Sequence, residues 1–238
     1  MGHILPRGAD THLSARPLRT ITVDTAESRK RIAVPSPSLT RLDVTGTPRA
    51  LVLMLHGGKA SSRQPVDDRS ASWRRIAALQ RTVTPRAHEA GVSTWLLRYR
   101  ERGWNVTGSG AVADARWALD EVRRELGDLP VVLLGHSMGG RTAVHVADDP
   151  SVVGVVGLAP WWSPEDPVRA LAGKHLLAAH GRTDKITSLR MTRAYVERAR
   201  AVAASAAVTD MGRAGHYLLR RVDAWNDFAI GSALSLVS

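Results

Sequence analysis

No cysteine occurs anywhere in the 238 residues. That absence excludes disulfide frameworks, thiolate zinc sites, iron–sulfur clusters and cysteine nucleophiles together, and it is compatible with either redox compartment. Long apolar runs are missing too: no stretch approaches the roughly 18 to 20 residues of a membrane span, so integral membrane association is not expected. The first 18 residues, MGHILPRGADTHLSARPL, lack the sustained apolar region of a secretory signal. They read as a mobile N-terminal arm, and the protein as cytoplasmic. Nine histidines are present, but none falls in an H-E-x-x-H or similar ligand set. The segment HGGKASS (56–62) lacks the spacing of a phosphate-binding loop. No metal and no cofactor are therefore expected.

Lysine is nearly absent: Lys30, Lys59, Lys174 and Lys185 stand against 29 arginines. With 33 basic and 22 acidic residues the net charge is +11, a balance that suggests anionic partners or simply an arginine-rich composition. Its distribution discriminates. Residues 1–58 carry 8 basic and 4 acidic side chains, residues 59–104 carry 10 and 4, and residues 105–238 carry 15 and 14. The surplus thus precedes residue 105, without the basic–aromatic interleaving of a nucleic-acid surface, so no nucleic-acid partner is expected. Arg74, Arg75, Arg81 and Arg86 fall on the first predicted helix and read as a solvated face. Lys59, Arg100 and Arg102 follow two predicted strands and are expected at the rim of a site, where they would attract an anionic substrate.

Hydrophobic residues at 44% and charged residues at 23% are globular proportions, which excludes a wholly disordered chain. Short candidate strands at Arg19–Val23, Arg31–Val34 and Arg41–Val44 are interrupted by the Pro-Ser-Pro-Ser run 35–38. From residue 50, continuous apolar runs mark strands covered on both faces: Ala50–Leu55, Val92–Leu97, Val131–Leu134, Val152–Leu158 and His175–Ala179, with Ala206–Met211 weaker. Helical stretches lie between them near 72–90, 111–126, 138–148, 188–204 and 217–230. This alternation predicts a mainly parallel, doubly wound α/β sheet, with residues 19–238 as a single domain.

The strand 131–134 ends in Gly135-His136-Ser137-Met138-Gly139-Gly140 and runs straight into a helix. This is G-x-S-x-G in the strand–turn–helix context it requires. A serine hydroxyl needs a base, and the base an orienting carboxylate. The strand 175–179 ends in HGRTD, with Asp184, and the last strand leads into GRAGH, with His216. Serine, acid and base each follow a parallel strand and so share one sheet edge. Asp166 is a rival acid, and His56, His136 and His180 are rival bases, though these histidines sit where loop support is expected.

With the motifs HGG (56–58), GHSMGG (135–140), HGRTD (180–184) and GRAGH (212–216), the chain resembles the α/β-hydrolase superfamily, and residues 50–232 follow the element order of its core. It is distantly similar to dienelactone hydrolases, but with serine as nucleophile. The resemblance implies an α/β-hydrolase fold, with Ser137 as nucleophile, His216 as general base and acid, and Asp184 as orienting acid. It also implies an oxyanion hole from the amides of Met138 and Gly58, with Lys59 as runner-up, and a small-molecule ester or thioester substrate. The interval from Leu158 to Lys174 is too short for a large cap. Trp104, Trp161 and Trp162 are expected to wall the site for an acyl or alcohol group. Two other readings remain: a relative that binds a ligand without turnover, and an anion-binding surface protein working through its basic N-terminal half.

Overall fold

The apolar runs become the centre of a seven-stranded sheet. A computed structural model describes residues 1–2 and 36–238. The strands are β1 (Ser38–Leu42), β2 (Ala50–Leu55), β3 (Val92–Arg98), β4 (Val131–His136), β5 (Val152–Leu158), β6 (His175–His180) and β7 (Ser205–Asp210), in the order β1-β3-β2-β4-β5-β6-β7. All neighbours are parallel except β1 and β3. Every residue of β2 and β4 is buried, as expected where helices cover both faces. Alternation along β2 divides the core in two. Leu51, Leu53 and Leu55 face α2 (Ser109–Leu126), α3 (Met138–Val146) and α4 (Leu189–Ala199). Ala50, Val52 and Met54 face α1 (Ala71–Glu89) and α5 (Val222–Ser235).

The register sets the site. Leu55 lies opposite Gly135, His136 opposite Leu158, and His180 opposite Asp210. The loops after β2, β4, β5, β6 and β7 therefore open at one edge. Between β5 and β6 there is a single 3-10 turn, Arg169–Leu171, and no large cap.

Three elements depart from the sequence reading in their bounds. The first strand begins at Ser38, inside the expected breaker, and ends at Leu42 rather than Val44. It is drawn there by antiparallel pairing from Ser38–Arg98 to Leu42–Thr94, with the Arg41 guanidinium 4.5 Å over the Trp95 ring. Beyond it the chain is held by side chains: Trp95 Nε1–H donates to Asp43 (2.6 Å) and Val44 N–H to Ser93 Oγ (3.1 Å). The helix α4 stops at Ala199, five residues early, and α5 starts at Val222 because Leu218 and Arg221 both adopt φ of 57°. The strands expected at Arg19–Val23 and Arg31–Val34, and the arm boundary at residue 18, lie outside the described residues.

Candidate active site

The β4–α3 turn presents Ser137 with φ 54° and ψ −115°, a conformation strained for any residue with a side chain. Ser137 N–H donates to Leu158 O (3.1 Å), tying the turn to β5. A methyl at Gly139 would lie 2.0 Å from Leu55 O, so glycine there permits α3 to pass against the end of β2.

Ser137 Oγ lies 3.0 Å from His216 Nε2, and His216 Nδ1 lies 2.8 Å from Asp184 Oδ2. Serine and histidine are each 6% exposed, and the carboxylate 1%. Burial alone pushes the Asp184 pKa up. Bonds from His180 and His216 and from the amides of Thr187 and Ile186 outweigh it and hold the group far below the usual carboxylate range. The carboxylate is therefore fixed and charged. The acid and base loops are also bound to each other: Arg182 N–H donates to Gly212 O (2.7 Å) and Thr183 N–H to Ala214 O (3.2 Å).

Two further residues complete this cluster. Thr187 Oγ1 lies 2.9 Å from Asp184 Oδ2 and 3.1 Å from His216 Nδ1. His180, fully buried, places Nε2 3.3 Å from Asp184 Oδ2 and Nδ1 2.8 Å from Thr192 Oγ1. A hydroxyl donating to Nδ1 leaves the His180 proton on Nε2, facing the carboxylate. Sequence reasoning assigned His180 loop support in general and passed over Thr187, whose position three residues beyond the aspartate was the available signal.

His56 and His136 hold the other loops. His56 Nδ1–H donates to Gly57 O (2.6 Å), and its ring meets Tyr99 edge-on at 4.7 Å. His136 Nε2–H donates to His216 O (2.9 Å). Burial keeps both neutral, with pKa values lowered to about 4 for His56 and about 3 for His136. Their unfolded counterparts titrate near 6.5, so the unfolded chain binds protons that the folded chain refuses. Stability is full above that value and falls as pH drops toward 4 and 3, by about 1.4 kcal/mol per pH unit for each histidine. Urea midpoints measured between pH 6.5 and 5 should fall accordingly, and less steeply in His56→Asn. An unchanged slope in that variant would contradict the burial of a neutral imidazole there.

The loop after β2 meets the elbow at Gly58, where a methyl would sit 2.4 Å from Met138 Sδ and 2.6 Å from Arg102 O. Neither the Gly58 nor the Met138 N–H has a backbone acceptor among the described residues. The Lys59 N–H is committed to Arg102 O at 2.8 Å. Asp166, the rival acid, is bonded to other partners and not to His216. It accepts from Arg141 Nε (2.8 Å) and Ser163 N–H (2.8 Å) and lies 3.0 Å from His145 Nε2.

A cavity of about 610 Å³ contains Ser137 and His216 and runs beside α1. Its apolar lining includes Trp73, Tyr217 and Leu219. The three expected indoles do not line it. Trp162 is 2% exposed, donates to Gly140 O (2.9 Å) and packs on Tyr195. Trp104 and Trp161 hold the Arg141 guanidinium 4.5 and 4.8 Å from their rings, bracing α3. The expected basic rim is displaced as well. Arg100 Nε donates to buried Asp114 (2.6 Å), Arg102 pairs with Asp67 (3.0 Å), and exposed Lys59 is not part of the lining. Instead Arg74, Arg75 and Arg81, read as a solvated face, line the cavity. The available signal was their helical spacing with Ala71 and Ala78, which puts all five on one stripe.

Among the described residues, no group of three or more His, Cys, Asp or Glu is arranged to hold a metal ion, and no helix is long and apolar enough to cross a membrane.

A model of the Alpha/beta hydrolase family matches residues 52–231. Solved structures share the fold at low identity. An alpha-beta serine hydrolase homologue from Coxiella burnetii is 17% identical with a TM-score of 0.63, covering 82% of this chain and 91% of that one. Est1E from Butyrivibrio proteoclasticus, with ferulic acid bound, is 12% identical with a TM-score of 0.64, covering 84% and 95%. The esterase Est2 from Thermogutta terrifontis, with butyrate bound, is 17% identical with a TM-score of 0.60, covering 87% and 89%. No curated protein matches the sequence.

Proposed function

This chain belongs to the alpha/beta hydrolase family, and from that premise we propose that it is a serine hydrolase cleaving a carboxylic ester or thioester. The observation that carries the reading is the unbroken chain from Ser137 Oγ through His216 to Asp184, at 3.0 and 2.8 Å, on a strained elbow. In this mechanism Ser137 Oγ attacks the carbonyl carbon while His216 Nε2 takes its proton. The amides of Gly58 and Met138 hold the resulting oxyanion, a contribution of about 2.7–4 kcal/mol per donor. Collapse returns the proton from His216 to the departing alcohol or thiol and leaves an acyl group on Ser137. Water, losing a proton to His216, then attacks that ester, and collapse releases the acid and restores the hydroxyl. Asp184 stays ionised throughout and stabilises the imidazolium, as its depressed pKa requires. The esterase named from Thermogutta terrifontis agrees with this class of substrate.

A fluorophosphonate probe tests the assignment directly. Wild type is expected to be labelled once, at Ser137, and Ser137→Ala not at all. An unlabelled wild type, or labelling that persists in the variant, refutes it.

A further inference from the structure

Four arginines, Arg69, Arg74, Arg75 and Arg81, line the cavity that holds Ser137, and three of them lie on α1. At 1.5 Å rise per residue, Arg74 and Arg81 are about 10 Å apart along one helix line, with Ala71, Ala77 and Ala78 leaving the groove open beside them. None of the four guanidinium groups has a carboxylate within 4.0 Å among the described residues. Many arginines elsewhere among the described residues are paired with a carboxylate, among them Arg41 with Glu125, Arg98 with Asp68, Arg116 with Asp148, Arg123 with Asp149 and Arg182 with Asp210. Asp68 is the one acidic residue of the lining, and it is bound to Arg98 at 2.6 Å. Arg75 stands out. It is half-buried, donates to the neutral carbonyl of Leu218, and leaves Nε buried without a partner. A cation partly withdrawn from water with no anion beside it is an expensive arrangement unless something else brings the anion.

We infer that the substrate is an ester carrying a carboxylate, on either its acyl or its alcohol part, and that Arg75, with Arg74 and Arg81, binds that carboxylate while Ser137 attacks the ester carbonyl. The inference rests on the serine hydrolase reading and names its substrate class. Guanidinium groups match a carboxylate in planar, two-bond geometry, and the apolar wall of Trp73, Tyr217 and Leu219 accommodates the chain or ring between the two functional groups. The placement also gives a use to the positive charge concentrated in residues 59–104.

Two matched substrate pairs test it. Mono-p-nitrophenyl adipate against its methyl ester places the anion on the acyl side. 4-(Butyryloxy)benzoate against its methyl ester places it on the alcohol side. In at least one pair the anionic member should have about tenfold or greater kcat/KM, an advantage expected of a charge-assisted hydrogen bond. That ratio should shrink with rising ionic strength and collapse toward 1 in Arg75→Gln. Since Arg75 is half-buried, Arg74→Gln/Arg81→Gln, altering two exposed positions, provides a second variant that should also reduce the ratio. A ratio near or below 1 in both pairs, or one that neither variant changes, overturns the inference while fluorophosphonate labelling of Ser137 leaves the hydrolase reading standing. If no ester is cleaved and Ser137 is not labelled, both fall together.

Discussion

Asp184→Asn is expected to lower kcat toward p-nitrophenyl butyrate by about 10⁴-fold, the loss incurred when a triad base is held in the wrong tautomer. The geometry explains why so small a change matters. Asp184 Oδ1 receives the amides of Ile186 and Thr187 at 2.7 and 2.9 Å, so an asparagine oxygen settles there. Its NH₂ group then replaces Oδ2, facing His216 Nδ1, which is now compelled to accept. The imidazole proton moves to Nε2, 3.0 Å from Ser137 Oγ, and the base can no longer take the hydroxyl proton. The same NH₂ also confronts the protonated Nε2 of His180, so some displacement of that ring accompanies the loss. Steady-state kinetics check the expectation, with fluorophosphonate labelling slowed in parallel. Retention of more than about a tenth of wild-type kcat would show that the carboxylate does not set the tautomer.

Gly139→Ala is expected to be severely damaging for a single added methyl. Its Cβ would fall 2.0 Å from Leu55 O, 2.5 Å from Leu55 C and 2.8 Å from His56 O, all of them backbone atoms that no rotamer change moves. Relief requires α3 to lift from the end of β2, which separates Ser137 from the Gly58 amide and opens the core between them. Overpacking ordinarily costs about 1–3 kcal/mol, and a clash against fixed backbone belongs above that range. Urea denaturation should register a fall of at least about 4 kcal/mol, or no folded protein. Gly110→Ala is the control. No atom lies within 4 Å of its added methyl, and alanine in a helix gains about 0.5–1 kcal/mol over glycine. Similar midpoints for both variants would mean that the elbow is not packed as described.

Ser137 and Asp184 were legible because each comes after a continuous apolar run and His216 because it follows the weaker run of β7, and parallel strands deliver their trailing loops to one edge. The central strands were legible for the same reason: burial on both faces leaves few polar residues to interrupt the run, Ser93 and Thr94 of β3 among them. The lining of the cavity was not. Periodicity along α1 separates its faces by angle, but it does not say which neighbour covers a face. The segment 215–219 leaves a groove there because Leu218, at φ 57°, turns inward and is fully buried while Tyr217 and Leu219 stay out. The indoles were misplaced for a related reason. Trp161 and Trp162 come after β5 at the correct edge, yet bonds from Trp161 N–H to Ser137 O (3.1 Å) and from Trp162 Nε1 to Gly140 O pull them onto α3. Edge membership is a property of the strand, whereas the direction taken afterwards depends on partners distant in sequence.

The cross-linking of the two loops after β6 and β7 has a consequence for how the molecule comes apart. Acid and base hang from adjacent strands at one end of the sheet, and backbone bonds from Arg182 to Gly212 and from Thr183 to Ala214 fasten them together. The nucleophile hangs from β4, with β5 between. Asp184 and His216 thus form one mechanical body and Ser137 belongs to another, joined to it through the ladders of β5 and, across the site itself, through the imidazole and the His136–His216 bond. Loosening at the β7 edge carries the proton acceptor away with its counter-charge intact, leaving a protonated serine hydroxyl in a sheet centre that is still folded.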